Sequence, residues 1–238
     1  MDFKEAHISR ATWRSQSILR HLDTEEIAYL EEMSDIINFK KNDVIFVEGK
    51  HITGCYVMLS GIVKQFKTGV EGKSHILRLA KPFEILGFRS ALNQEPACNT
   101  STVIKECTVC YIPMECLHHL VKSNGSFALD LLQIACRELE KSHSIITEIT
   151  QKSVKERLAE LLLTLKNNFG VDENGYLNIA LSREDYADLV GTATPSLIRH
   201  LSEFKADHLI DLDNKKVKIL NEQALEKLTI FKPKKIIQ

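Results

Sequence analysis

The residues whose types and spacing could do chemistry gather in one stretch, LSREDYADLVGTATPSLIRHLSEF, residues 181 to 204. Ser182 with Asp185 three residues on has the form of a capping box and predicts a helix opening at Ser182. Gly191 ends that helix, Gly191-Thr192-Ala193 makes a short turn, and Thr194-Pro195 opens a second helix, with Thr as N-cap and Pro at the first helical position. In the second helix Leu197, Leu201 and Phe204 stand at i, i+4 and i+7 and share one face, bordered by Ile198. Ser196, Arg199, His200 and Glu203 fall on the other side. That sorting suits a helix lying in the DNA major groove: amide donors and the positive end of the dipole favour phosphate, small residues allow close approach, and a long Arg reaches a guanine edge. Any amphipathic surface helix sorts its residues in this way. What points to DNA is the whole unit, because HLIDLDNKKVKIL follows, two apolar runs about Asp213-Asn214-Lys215-Lys216 that read as a hairpin, completing a winged helix-turn-helix.

Other chemistries find less support. No G-x-S-x-G, P-loop, H-E-x-x-H or paired-carboxylate pattern occurs, so no enzyme is expected. Cys107-x2-Cys110-x5-Cys116 has metal-like spacing, but Cys107 and Cys110 fall in one predicted strand, where residues three apart point to opposite faces. These and Cys55, Cys98 and Cys136 are read as reduced thiols that behave as small hydrophobes. His75, His118 and His119 could bind haem or metal, yet adjacent helical residues diverge by about 100°, so His118 and His119 poorly serve one ion. No metal site is expected.

The positions that carry this chemistry need elements to hold them. At 238 residues, with 44% hydrophobic and 26% charged residues, the chain is long enough for two compact units. Up to Thr150 it carries 17 basic and 19 acidic residues, and afterwards 14 and 13, so attraction to nucleic acid has to be local. No apolar run reaches the roughly 18 residues of a membrane span, and a cytoplasmic chain with no membrane partner is expected. LDTEEIAYLEEMS predicts a surface helix capped near Asp23 or Thr24. From Ile36 to Pro113, short runs such as DVIFVEG, GCYVMLSGIVKQFK and TVCYIP, divided by glycines, predict an antiparallel sandwich or barrel. After Asn124-Gly125, Leu131, Ile134 or Ala135, Leu139, Ile145 or Ile146 and Ile149 recur at helical spacing for over six turns, longer than a small barrel can cover. Leu131, Ile134, Leu139, Ile145 and Ile149 are therefore expected to pair with a second copy. SVKERLAELLLTLKNNFG predicts one more helix, ended by Gly170, and FKPKKIIQ a loose tail.

In this order of parts the chain resembles the CRP/FNR family of bacterial transcription regulators, over residues of about 20 to 221. YVMLSGIVK, SVKERLAELLLTL and above all LSREDYADLVGTATPSLIRHLSEF carry the resemblance. It implies an α+β fold with a β-roll effector domain over 1–124, a long dimerisation helix over 125–152 and a winged helix-turn-helix over 153–238. It implies a homodimer reading an inverted repeat in double-stranded promoter DNA, with RNA polymerase as a further partner. Base contacts would fall on Thr194, Ser196, Arg199 and His200, and phosphate contacts on Ser182, Arg183 and Ser196. The Arg and Glu that commonly open the reading helix are Thr194 and Pro195 here, which changes the half-site read.

The cyclic-nucleotide binders of the family carry a Glu for the ribose and later an Arg for the phosphate. Here the matching segment is PFEILGFRSALNQEPACNTSTV, the Glu falls on Phe88, and no Arg or Lys lies between Asn93 and Val103. A buried phosphate without a cation is costly. The effector pocket expected from Leu86, Gly87, Phe88, Arg89, Asn99 and Thr100 therefore calls for an effector other than cAMP bound in the usual mode. The iron-sulfur members hold cysteines near the N-terminus, and the first 54 residues here hold none, so neither cluster nor haem is favoured. A competing reading, a ligand- or redox-sensing module that acts through protein contacts, is separated by salt-dependent duplex binding.

Overall fold

In the computed structural model the described residues are 10–69 and 72–229, and the tail expected from FKPKKIIQ lies outside them. They part into two compact units between Lys141 and Ser142. In the first unit α1 (Arg10–Gln16), a 3-10 turn (Ile18–His21) and α2 (Thr24–Met33) precede the strands. Asp23 caps α2, accepting from the Glu26 amide while the Glu26 carboxylate accepts from the Asp23 amide.

Eight strands follow: β1 (Asp35–Phe39), β2 (Val44–Phe46), β3 (Gly54–Met58), β4 (Ile62–Thr68), β5 (Ser74–Ala80), β6 (Ile85–Leu86), β7 (Thr100–Lys105) and β8 (Cys107–Pro113), with α3 (Phe88–Asn93) between β6 and β7. They form two antiparallel sheets, ordered β1-β8-β3-β6 and β2-β7-β4-β5. The period of two along a strand decides the packing. On β8, Cys107 and Val109 enter the core shared with Met58, Val63 and Val103, whereas Cys110 and Ile112 enter a second core with Trp13, Leu30, Leu117 and Phe127.

That second core is completed by α4 (Met114–Ser123) and the start of α5 (Gly125–Gln151). Phe127 and Leu131 are buried in it, with Ile134 and Ala135 packed against it. Two residues assigned from sequence to a partner-facing stripe, Leu131 and Ile134, thus cover the chain's own first unit. The reason is the angle along the helix: positions 127, 131 and 134 make one i, i+4, i+7 face, and this face meets the β-roll.

The second unit holds α6 (Val154–Phe169), α7 (Arg183–Val190), α8 (Thr194–Ala206), the hairpin β9 (Ile210–Asp213) and β10 (Lys216–Ile219), and α9 (Glu222–Thr229). Ser153 with Glu156 forms a capping box for α6. Leu158, Leu162, Leu197, Leu201, Phe204, Val217 and Leu225 are buried.

Gly61 is a point of close approach in the first unit that also needs a positive φ. Its φ is +84°, and a Cβ there would stand 2.3 Å from both the Cys107 Cβ and the Glu106 carbonyl oxygen, while at Gly49, φ +77°, it would meet nothing within 4 Å. Gly61→Ala is expected to cost about 2 to 4 kcal/mol through left-handed strain plus overlap, and Gly49→Ala only about 1 to 2 through strain alone. Urea unfolding followed by the fluorescence of Trp13, the chain's one tryptophan and buried in this unit, reads the difference.

Candidate nucleic-acid interface and internal cavity

Helix α7 opens at Ser182, whose Oγ accepts from the Asp185 amide (3.0 Å) and donates to Asp185 Oδ2 (2.7 Å). With its hydroxyl engaged at both ends, Ser182 serves first as a cap. Gly191 closes the helix in the left-handed region (φ 70°, ψ 54°) and its amide donates to the Ala187 carbonyl. From α6, Arg157 reaches the same corner: Nε donates to the Val190 carbonyl (2.8 Å) and Nη2 to that of Gly191 (3.3 Å). A cation on the last carbonyls of α7 satisfies their lone pairs and its dipole together, and fixes the turn into α8.

Helix α8 begins one residue earlier than the sequence predicts. Its N-cap is Ala193, extended and without a side-chain bond, because the first intrahelical hydrogen bond runs from the Leu197 amide to the Ala193 carbonyl (3.1 Å). Thr194 and Pro195 therefore stand inside the first turn, where the missing proline amide costs nothing. Burial of Leu197, Leu201 and Phe204 turns Pro195, Ile198, Arg199 and Ser202 outward. The Arg199 side chain is 68% exposed, 3.9 Å from Glu203 at its nearest atom. His200 is different: its side chain is 14% exposed and its Nδ1 lies 3.0 Å from Glu203 Oε2. The His200 ring holds the Glu203 carboxyl below the usual carboxylate range.

His200, assigned from sequence to base contact, is thus engaged inside the unit. At 100° per residue it stands beside the Leu197–Phe204 stripe, an angle that reading the helix as two halves overlooks. Ile198, left at the border, is 46% exposed, and Ser202 is exposed as well. Ser196 is half-buried at the helix start. Arg183, assigned to phosphate, donates from Nη2 to the Asn214 carbonyl at the hairpin tip (2.8 Å) and so ties α7 to the wing. Asn214 itself adopts φ 51°, a left-handed turn position that Asn tolerates. Lys205 and Lys216 lie in ion pairs with Asp211 and Asp172, both 3.0 Å, while Lys215 at the wing tip is exposed.

In the first unit Gly87, Phe88, Arg89 and Asn99 line a cavity together with Gln65, Arg78 and Glu138. Of the pocket residues expected from sequence, Leu86 points instead into the core between the sheets. Thr100 lies outside the lining, and its Oγ1 accepts from the Glu48 amide (3.0 Å). Arg89, one of the expected pocket residues, is paired with Glu138 at 3.2 Å. Sequence reasoning missed Arg78 of β5, whose guanidinium donates to Gln65 Oε1 and to the Ile85 carbonyl (2.9 Å) and lies 3.4 Å from Glu138. Only about 10 Å³ is left open there, room for about one water.

Among the described residues no group of three or more His, Cys, Asp or Glu side chains could hold a metal ion. Cys55, Cys107, Cys110 and Cys116 are buried free thiols, and Cys98 and Cys136 are exposed. No helix among the described residues is long and apolar enough to cross a membrane.

Comparison with known proteins places these two sites in a recognisable frame. Residues 36–124 match the cyclic nucleotide-binding domain and residues 156–228 the Crp-like helix-turn-helix domain. The chain is 25% identical over 210 residues to a CRP-like cAMP-activated global transcriptional regulator of Mycobacterium tuberculosis, spanning 87% of this chain and 94% of that one. It is 25% identical over 185 residues to the transcriptional activator Anr of Pseudomonas protegens, spanning 76% and 75%. Both relatives are transcription regulators rather than enzymes. In fold it is similar to FixK2 of Bradyrhizobium japonicum (TM-score 0.73, 20% identity, 84% of this chain and 98% of that one). It is also similar to a CRP/FNR-family regulator of Thermus thermophilus (TM-score 0.71, 21% identity, 82% and 98%).

Burial pushes the Cys107 and Cys110 thiols from 9.0 up to about 12 and that of Cys116 up to about 11, and raises Cys55 further. A thiol raised in the folded state favours folding fully below its ordinary value, and the contribution fades as pH climbs through the folded one. Iodoacetamide at pH 8 is expected to modify Cys98 in the native protein and to leave these four untouched until urea unfolds it. Peptide mass mapping before and after unfolding checks this.

Proposed function

Joining a cyclic nucleotide-binding domain to a Crp-like helix-turn-helix domain, the chain belongs to the CRP/FNR family of transcription regulators, and we propose that it acts as a homodimer on an inverted repeat in promoter DNA. The observation that carries this reading is the outward face of α8, where Arg199 stands exposed five residues after the helix start at Thr194. Arg199 reads a guanine edge, and Ile198 beside it suits a thymine methyl. The first-turn amides of α8, Ser196 and Lys215 at the wing tip hold phosphates. Contact with RNA polymerase and a cytoplasmic location belong to the same reading.

The dimer is carried by α5. Leu132, Leu139 and Ile146, one heptad apart, are 60%, 57% and 62% exposed, and Leu129 at 53% extends the row. Among the sequence-assigned positions Leu139 and Ile149 lie on this open side, while Ile145 is half-buried. A seven-residue apolar repeat left open to water is the seam of a two-stranded coiled coil. Two such helices set two α8 reading heads for half-sites about one DNA turn apart.

The mycobacterial relative is named as cAMP-activated. Here Phe88 stands where the ribose-binding Glu is expected, and Glu138 occupies the cations of the cavity. An effector other than cAMP in the usual mode fits these residues better.

Two outcomes are expected. Arg199→Ala should cost about 1 to 3 kcal/mol in binding to a duplex selected from a random pool, with little change on unselected duplex. Gel-shift titration over a salt series checks it, since log affinity should fall linearly with log salt by about 0.9 per phosphate neutralised. Equal affinity of wild type and variant, or binding indifferent to salt, would sink the regulator reading. Leu139→Glu, at an exposed site, should leave each subunit folded and yield monomers by sedimentation.

A further inference from the structure

In the β-roll two cations from neighbouring elements, Arg78 on β5 and Arg89 on α3, converge on one carboxylate supplied by the long helix. Glu138 of α5 lies 3.4 Å from Arg78 Nη2 and 3.2 Å from Arg89 Nε, and its side chain is only 16% exposed. Arg78 comes from β5 and is oriented by Gln65, whose own Nε2 donates to Asn99 Oδ1 (3.2 Å) and Ser101 Oγ (3.0 Å). Arg89 comes from α3, with Nη2 on Cys98 Sγ. A carboxylate so covered is stabilised by its paired cations; without it Arg78 would keep Glu84, 3.3 Å from its Nη1, while Arg89 would lose the carboxylate at its Nε. The arrangement is therefore an anion site with an occupant already in place, and the occupant is part of the chain.

Glu138 and Arg78 also wall a second cavity, of about 220 Å³, on the side of α1 and the 3-10 turn. Ile18, Phe83 and Ile134 give it an apolar side; Arg20, Arg137 and Lys141 bring further cations, and Glu84 and Asp130 bring carboxylates, Asp130 paired with Arg20 at 2.7 Å. Swinging Glu138 aside would leave Arg20, Arg78, Arg89, Arg137 and Lys141 against Glu84 and Asp130 around the two cavities, a net excess of positive charge beside one apolar wall. That space fits a small organic anion, its carboxylate or phosphate on the arginine pair and its body in the larger cavity.

We propose that Arg78 and Arg89 form the head-group site of a small organic anion, that Glu138 acts as its built-in surrogate, and that the ligand acts by displacing this side chain. The proposal rests on the reading that the β-roll senses an effector other than cAMP, and gives that effector a chemical class. It also names the route to the dimer. Glu138 is the immediate neighbour of Leu139 in the open seam, so a ligand that dislodges Glu138 acts on the helix that pairs the subunits.

The test measures the protein alone and with DNA. Thermal unfolding in inorganic phosphate and in acetate, each against chloride at equal ionic strength, is compared for wild type, Glu138→Ala, Glu138→Gln and the double variant Glu138→Ala/Arg89→Ala. Removing the surrogate should raise the apparent affinity for phosphate, acetate or both by at least tenfold over wild type, and deleting Arg89 as well should abolish the gain. The anion that responds identifies the head group. Glu138→Gln, which keeps the shape and loses the charge, should shift in the same direction and serves if the alanine variant is unstable. Equal anion responses in wild type and in the Glu138 variants, or a gain that survives loss of Arg89, would overturn the proposal. Gel shifts on the same samples separate the two ideas: DNA binding without a variant-dependent anion response defeats only this inference, and the reverse result defeats only the regulator reading.

Discussion

The rotation of α8 about its own axis is the constraint on which the DNA-facing half depends. Leu197, Leu201 and Phe204 are at most 1% exposed, and at about 1.5 to 3 kcal/mol per buried side chain their burial outweighs any local preference of the outward residues. Once those three point inward, Arg199 has to point out. Arg157 adds the second restraint by holding the Val190 and Gly191 carbonyls, so that the angle between α7 and α8 is set by α6. The outward face is thus the complement of the core.

Local rules account for most of what the sequence revealed. Asp23 with Glu26, Ser153 with Glu156 and Ser182 with Asp185 cap their helices through partners three residues away, a distance a linear reading can see. The two-residue period likewise sent Cys107 and Cys110 into different cores. His200 was misplaced for want of finer angular arithmetic. Its neighbour Glu203 was visible in sequence, but the 3.0 Å contact between them belongs to a side chain lying along the core edge.

The cavity was legible only in part, and for a different reason. Gly87, Phe88 and Arg89 follow one another, so a motif could find them. Arg78, Arg89 and Glu138 are joined by β5, α3 and α5, and no spacing rule connects them. Searching a segment for a cation overlooks one that arrives from a neighbouring strand. The same limit explains α5: its apolar positions were countable, but which of them the β-roll would claim depended on where Phe127 and Leu131 met Trp13 and Leu117.

Helix α5 consequently has two apolar sides with opposed duties. One is spent on the first unit through Phe127, Leu131 and Ile134; the other stays open through Leu132, Leu139 and Ile146. Glu138 belongs to neither, and its charge is what its position adds. A tethered carboxylate competes with free anions at an effective concentration of the millimolar order, so a bare ion at low concentration gains little by exchanging with it. A ligand whose body also fills the neighbouring 220 Å³ gains contacts that the side chain lacks. Because a ligand shifts a conformational equilibrium only by its difference in affinity for the two states, those extra contacts set both its selectivity and the work it can do on the helix.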